Sequence, residues 1–287
     1  MTAAFRRLPL RSTEVLFIVY FAYAAVVASF FTIPRVAGAW GVFAGVSAAL
    51  VLIAMRFPQP FRFARDWIPL GLLLLAYREM DWFTQPRRRA DLESLWQGWD
   101  TALLVDWHLQ AALESAGALI PGILELCYLL IYAVGPATVA TLYLTRRREY
   151  IDRALLLTLG GTLLSYVFFP YFPTAPPRSL FPVPAPAVST AFRHLNLWIV
   201  NGAGIGSSVF PSAHFSGAFS AAFAWILYLP RGSRWKWAML AYAGAVAVAT
   251  VYGRYHYAAD SVAGMALSLI ALLLVVPYNR KNANQPR

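Results

Sequence analysis

The sequence predicts an all-α polytopic membrane protein of about eight transmembrane helices, with one amphipathic helix at the membrane interface. Three observations carry that prediction. Of the 287 residues, 59% are hydrophobic and 13% charged, about half the charge of an ordinary soluble domain. Uncharged apolar runs recur along the chain, several near the roughly 20 residues that cross a hydrocarbon core of about 30 Å. Arg and Lys gather between alternate runs, as they do in cytoplasmic loops.

The runs are Val15–Pro34, Val36–Met55, Trp67–Tyr77, Leu126–Thr145, Ala154–Pro177, a long one from Leu195 to Pro230, Trp237–Gly253 and Ser261–Asn279. The first is too long for the core of a cleaved signal and reads as an anchored span. The third has 11 residues and reaches only about 17 Å as a helix. It crosses only if Arg78, Glu79 and Asp81 lie at its end or face the protein interior. With eight spans and both termini cytoplasmic, 16 of the 24 basic residues fall inside. They are Arg6, Arg7, Arg11, Arg56, Arg62, Arg65, Arg146, Arg147, Arg148, Arg153, Arg231, Arg234, Lys236, Arg280, Lys281 and Arg287. Omitting the third span sends Arg146–Arg148 and Arg231–Lys236 to the other side, so the eight-span arrangement follows the positive-inside rule best. Arg87–Arg89 is its main violation. These arginines either attract anionic lipid head groups or form a solvated loop.

Between the third and fourth spans, Asp91 to Glu114 reads as an amphipathic helix. Leu92, Leu95, Trp96, Trp99, Leu103 and Trp107 recur at helical spacing. A stripe with three tryptophans suits a helix lying at the membrane surface, and packing against the bundle is the alternative. The segment Tyr171 to Phe210 differs. Prolines at 173, 176, 177, 182, 184 and 186 forbid a regular helix there. Gly202, Gly204 and Gly206 then lead into Ser207, Ser208 and Pro211. Irregular backbone at membrane depth is tolerated where it is buried in protein or lines a wet cavity, so this loop looks shaped for a ligand.

The net charge of +11 has a topological explanation, and no aromatic–basic interleaving points to nucleic acid. The single Cys127 excludes an intramolecular disulfide and a cysteine metal cluster and reads as a packed thiol. The carboxylates are more informative. Twelve of thirteen fall between Glu14 and Asp152, and the remaining 135 residues hold only Asp260. Asp260 lies four residues after His256, a spacing at which helical side chains meet. A carboxylate that accepts the Nδ1 proton of a neutral imidazole leaves Nε2 free to attack or to accept a proton. The alternative is a structural pair joining two spans.

Pro211-Ser212-Ala213-His214 opens a span directly after the Gly/Ser stretch, where free helix-start amides suit an anion. His214 starts one span and His256 ends the next, so both lie on the outer side at one depth. Arg254 lies beside His256, and Arg178 ends Pro-Thr-Ala-Pro-Pro-Arg. Two histidines, two arginines, a serine and helix-start amides suit phosphoryl transfer. The cations and amides hold the non-bridging oxygens, one His attacks and the other protonates the leaving group. One carboxylate and two histidines are too few for a typical hard-metal cage, so neither a metal nor another cofactor is expected.

Pro-Ser-Ala-His followed by His256-Tyr257-Ala258-Ala259-Asp260 resembles the second and third motifs of the type 2 phosphatidic acid phosphatase superfamily. The resemblance runs from about Tyr171 to Val275. It implies that His256 is the phosphohistidine-forming nucleophile and Asp260 its orienting partner. It implies further that His214 is the general acid and then the base, and that Ser212 helps bind phosphate. Thr250 and Tyr171 stand where the superfamily has Arg and Lys, and Arg178 is followed by Ser179 rather than Pro. Thr250, Tyr252, His256-Tyr257 and Asp260 with Pro-Pro-Arg upstream look more like the inositol phosphorylceramide synthase branch, whose members transfer a head group between lipids. A phosphate-binding role for Arg254 rests on its placement rather than on a motif match.

The expectation is therefore one integrated membrane domain acting on membrane lipids, with its site at the outer face. Residues 1–116 form spans one to three plus the interfacial helix, and 117–287 the catalytic bundle. Hydrolysis of a lipid phosphate or isoprenyl diphosphate is the alternative within the superfamily. A transporter or scaffold with structural polar residues is the alternative of another class. Of the other polar residues, Arg193 and His194 read as solvated loop residues and His108 as part of a helix polar face. Tyr252 and Tyr257 read as interface packing. Glu125, near the start of a span, is either functional or bonded to another span.

Overall fold

Length, apolar composition and the scarcity of charge leave helices as the way to satisfy every backbone group in lipid, and all regular structure in the described residues is helical. The computed structural model describes residues 9–31, 33–56, 62–180, 186 and 188–283, with side chains to Tyr278. In chain order the helices are α1 Ser12–Phe30, α2 Val36–Arg56, α3 Ala64–Met80, α4 Ala90–Thr101, α5 Leu109–Glu114, α6 Leu119–Leu129 and α7 Val134–Leu144. They continue as α8 Ile151–Phe168, α9 Pro177–Leu180, α10 Ala191–Ala203, α11 Ala213–Tyr228, α12 Trp235–Tyr252 and α13 Ala258–Ala283.

Five stretches are long and apolar enough to cross a membrane: α1, α2, Leu119–Leu144 (α6 and α7), Arg148–Tyr171 around α8, and Ala258–Tyr278 of α13. Of the eight expected spans, the remaining three correspond to α3, α11 and α12, with 17, 16 and 18 residues. These pack in the same bundle but do not meet that requirement. α3 extends beyond its 11-residue apolar run at both ends. At its far end Glu79 is buried, Arg78 donates to the Ala203 carbonyl at 3.0 Å, and Asp81 accepts the Gly206 N–H at 2.8 Å.

At the centre, α11 packs along α8, with α12 and α13 on its other sides. Small residues set this contact, because van der Waals packing rather than water exclusion holds helices together in lipid. A Cβ on Gly161 would sit 2.0 Å from Ser220 Oγ, so the helices approach here at glycine distance. Ser216 Oγ donates to the Gly161 carbonyl at 3.0 Å and lies 2.8 Å from Ser165 Oγ. Ser268 Oγ on α13 donates to the Ser216 carbonyl at 3.0 Å. The start of α11, the end of α12 and the start of α13 meet at one end of the bundle.

The opposite end, where α1, α3 and α8 begin, is clamped by carboxylates. Glu14 receives both Arg65 Nε and Nη2 at 2.6 Å. Asp66 is shared by Arg11 at 2.7 Å, Arg148 at 2.9 Å and the Tyr143 hydroxyl. Asp152 accepts the first amides of α1, Ser12 and Thr13, both at 3.0 Å. Most of the early carboxylates are thus engaged in holding the fold. Of the basic residues expected on this side, Arg6, Arg7 and Arg287 lie outside the described residues, as do Pro182 and Pro184 of the proline-rich segment; of Arg280 and Lys281 only the backbone is described.

Two expectations are corrected. The helix read as Asp91 to Glu114 is broken: α4 ends in a π turn at Ala102–Asp106, and His108 takes a left-handed conformation (φ 57°) before α5. Its apolar stripe also divides. Trp96 is 6% exposed, but Trp99 and Trp107 are 52% and 75% exposed. The face of α4 that meets the protein is Glu93, Trp96, Asp100, continued by Leu104, because two carboxylates on it bind backbone amides of other segments. The second correction concerns Tyr171 to Phe210, read as irregular throughout. It contains the single turn α9 and the 13-residue helix α10. Pro177 stands at the start of α9, where a proline is tolerated, and α10 begins after the last proline, with the Thr190 hydroxyl accepting the Arg193 N–H at 3.2 Å as its N-cap.

Candidate active site

The site is assembled by two helix starts. Ser212 caps α11, its hydroxyl accepting the Phe215 N–H at 3.2 Å. The Ser212 N–H donates to the Asp260 carbonyl at 3.0 Å, which ties the start of α11 to the first turn of α13. A Cβ on Gly264 would meet the Ser212 carbonyl at 2.8 Å, so α13 can lie this close only with glycine there. His214 stands in the first turn of α11. His256 is not on a helix, as the four-residue spacing implied. It lies in the turn between α12 and α13, its N–H donating to the Thr250 carbonyl at 3.1 Å. Asp260 reaches it from the first turn of α13, where its Oδ2 also accepts the Tyr257 N–H at 3.0 Å.

The polar groups then form a directed chain. His256 Nδ1 lies 3.1 Å from Asp260 Oδ2 and 3.0 Å from the Val209 carbonyl. Both neighbours are acceptors, so Nδ1 carries the proton and Nε2 keeps its lone pair. That Nε2 lies 3.2 Å from His214 Nδ1, with the rings edge to face at 5.4 Å between centroids. Asp260 is 0% exposed, and nothing but its backbone donor and the imidazole competes for Oδ2.

Arg178 is placed by its own backbone: its N–H donates to the Arg254 carbonyl at 3.1 Å. Its guanidinium lies over the Tyr255 ring at 5.8 Å and acts electrostatically on both imidazoles. Among the described residues no carboxylate pairs with it. Arg254 takes a left-handed conformation (φ 59°) and turns its side chain to α5, where Nη2 reaches Gln110 Oε1 at 3.4 Å. The structure therefore gathers His214, His256, Asp260, Ser212 and Arg178, and sets the Arg254 guanidinium on the α4–α5 side of the same turn.

Several residues absent from the sequence reading hold this site. Asp100 on α4 accepts the N–H of Ala258, the first residue of α13, at 2.9 Å. Burial pushes its carboxyl up to about 7. Glu93, two turns earlier, accepts the Ala175 N–H at 2.8 Å in the loop leading to Arg178. Between them Trp96 stacks on Phe210 at 4.7 Å and packs against Tyr257 at 5.6 Å. The signal was present in the sequence: Glu93, Trp96 and Asp100 share one helical stripe.

Behind the site, Glu125 on α6 binds Arg193 Nη1 at 2.8 Å, Asn196 Nδ2 at 2.7 Å and the Tyr255 hydroxyl at 2.7 Å. This corrects the solvated reading of Arg193, which is buried on α10 because its counter-charge comes from another helix. His194 on the same helix faces Ser189 at 3.0 Å.

A family model described as the PAP2 superfamily matches residues 96–274, from Trp96 on α4 into α13. A search of curated proteins and one of solved structures gave no match. The matched region is more than half of the chain and contains every residue of the site, and its members are phosphatases and phosphotransferases: the chain is an integral membrane protein that belongs to the PAP2 superfamily.

Proposed function

We propose that the protein transfers a phosphate-linked head group between membrane lipids through a phosphohistidine on His256, in the manner of the inositol phosphorylceramide synthase branch. The observation that carries the reading is the chain Asp260–His256–His214 beside an arginine that has no carboxylate partner among the described residues. Held by Asp260 and the Val209 carbonyl, His256 Nε2 attacks the phosphorus of a lipid phosphate. The P–N bond forms, the P–O bond to the lipid alcohol breaks, and His214 protonates the departing oxygen. Neutral again as a base, His214 then takes the proton of an acceptor hydroxyl, whose oxygen displaces His256 from phosphorus. With water as acceptor the same steps amount to hydrolysis.

Arg178 and the start of α11 at Ser212 hold the non-bridging oxygens, and their charge complementarity grows as negative charge develops. Arg254 lies close enough by backbone to serve the same phosphate if its side chain leaves Gln110. The basic loops at Arg146–Arg153 and Arg231–Lys236 lie at the bundle end away from the histidines, which favours eight spans, both termini cytoplasmic and an extracytoplasmic site. In this reading residues 117–287 carry the catalytic bundle and 1–116 buttress it.

The test is a panel of diacylglycerol phosphates, isoprenyl diphosphates and inositol phospholipids, offered with lipid acceptors to the protein in detergent. Product mass spectrometry separates the outcomes: a new phospholipid plus diacylglycerol for transfer, free phosphate for hydrolysis. No product from any substrate contradicts the reading and leaves a transporter or scaffold, and product that survives His256→Ala contradicts the phosphohistidine on that residue.

A further inference from the structure

Arg178 is a cation without a carboxylate, yet it is not bare. Besides the two imidazoles, four tyrosines lie within electrostatic reach of its guanidinium: Tyr77, Tyr128, Tyr132 and Tyr255. They come from α3, from α6, from the turn that follows α6, and from the loop before His256. Two of them also frame the second histidine: Tyr128 lies 5.2 Å and Tyr132 5.8 Å from the His214 ring. Because the Arg254 guanidinium is turned to Gln110, Arg178 is the arginine that acts on both imidazoles. A guanidinium binds a phosphoryl group from one side through its planar fork, so non-bridging oxygens turned away from it and from the helix start can accept from other donors.

The four phenols are not equivalent. The Tyr255 hydroxyl is committed to Glu125 at 2.7 Å, and its ring stacks on Tyr128 at 3.8 Å and 10°. It is a platform under Arg178. Tyr77 differs: its oxygen accepts the Ile205 N–H at 3.2 Å, which leaves its own O–H to donate, and no acceptor for it is present among the described residues. Tyr132 is half-exposed at the edge of the site, its hydroxyl within reach of that of Tyr128. A phenol donates one hydrogen bond and carries no charge at neutral pH, so it adds a ligand to an anion without adding to the repulsion Arg178 feels.

We infer that Tyr77 and Tyr132 are substrate-binding residues whose hydroxyls donate to the non-bridging oxygens, or to head-group oxygens beside them, and complete the anion site around Arg178. Tyr128 and Tyr255 are positioning residues that hold Arg178 and His214. The inference rests on the proposed phosphoryl transfer and deepens it.

The experiment uses full-length Tyr77→Phe, Tyr132→Phe and Tyr255→Phe proteins in detergent. Orthovanadate serves as phosphoryl mimic, its binding read by the shift in melting temperature, and KM and kcat are measured on the substrate found by the panel. For Tyr77→Phe and Tyr132→Phe, vanadate Kd and substrate KM each rise about tenfold or more, the weight of one hydrogen bond to a charged group; the ligand-free melting temperature stays put for Tyr132→Phe and falls for Tyr77→Phe, which loses the acceptor of the Ile205 N–H. Tyr255→Phe instead lowers the ligand-free melting temperature. If both donor variants bind vanadate and substrate as the wild type does, while His256→Ala is inactive, the inference falls and the reaction stands. If the wild type neither binds vanadate nor turns over any lipid phosphate, the reaction falls and takes the inference with it.

Discussion

Asp100 accepts the N–H of Ala258 at 2.9 Å, so a helix outside the central bundle supplies the N-cap of α13, the helix that carries Asp260. Capping by a side chain from another element makes the position of α4 a determinant of catalytic geometry. Replacing an N-cap acceptor by alanine costs about 0.5–2 kcal/mol. Asp100→Ala is accordingly expected to lower the melting temperature and to slow turnover. Asp100→Asn, whose amide oxygen still accepts, restores most of both.

The same carboxyl gives a pH dependence. Its folded-state value of about 7 lies above the ~4 of an unfolded aspartate. The folded protein therefore binds the extra proton between those values, and the stability this proton supplies is present at low pH and lost as pH rises toward 7. Melting curves at pH 5 and pH 8 should show the wild type losing more stability on that rise than Asp100→Asn, which has no proton to lose.

Glu125 and Arg193 form a buried ion pair at 2.8 Å, further satisfied by Asn196 and Tyr255. Removing one partner strands the other, at about 3–5 kcal/mol. Glu125→Ala should therefore unfold at markedly lower temperature, whereas Glu125→Leu combined with Arg193→Met recovers much of the loss. Equal melting of the single and double variants would show that the stranded charge is not the cause.

The approach of α8 to α11 sets the floor of the site. A Cβ on Gly161 meets Ser220 Oγ at 2.0 Å and the Ser216 carbonyl at 3.2 Å, and overpacking of this kind costs about 1–3 kcal/mol. Gly161→Ala should destabilise, and Ser220→Ala should rescue only part of the loss, because the Cβ of residue 220, at 2.9 Å, and the Ser216 carbonyl remain. Thermal unfolding of the three variants measures both effects.

Arg178 is the arginine that acts electrostatically on both imidazoles. Losing one preorganised donor to a developing oxyanion typically lowers turnover about 10²–10³-fold. Arg178→Gln is expected in that range, with the phosphohistidine forming slowly rather than not at all. Single-turnover kinetics resolve that step.

The sequence revealed the side chains that meet at the candidate site better than the architecture around them. His256 and Asp260 could be paired because no other carboxylate follows Asp152, and Pro-Ser-Ala-His announced a helix start. The apolar runs revealed a helical membrane protein. The inward face of α4 was not legible from hydropathy, since lipid and protein interior are both apolar and three tryptophans suit either. Glu93 and Asp100 lie on that face because the amides they bind, Ala175 and Ala258, are 82 and 158 residues away. Arg193 looked solvated for the same reason: its counter-charge is 68 residues distant. Helix α10 was hidden by prolines that end just before it begins. Local pattern encodes periodicity and caps, but not which long-range partner a charge will find.

The central claim is covalent attachment of phosphorus to His256. It is tested most directly by rapid quench of the protein with a ³²P-labelled lipid substrate, followed by peptide mapping. The account predicts an acid-labile, alkali-stable label on the peptide containing His256, which is absent in His256→Ala and weakened in Asp260→Asn. Label on any other residue, or turnover that persists in His256→Ala, would contradict it.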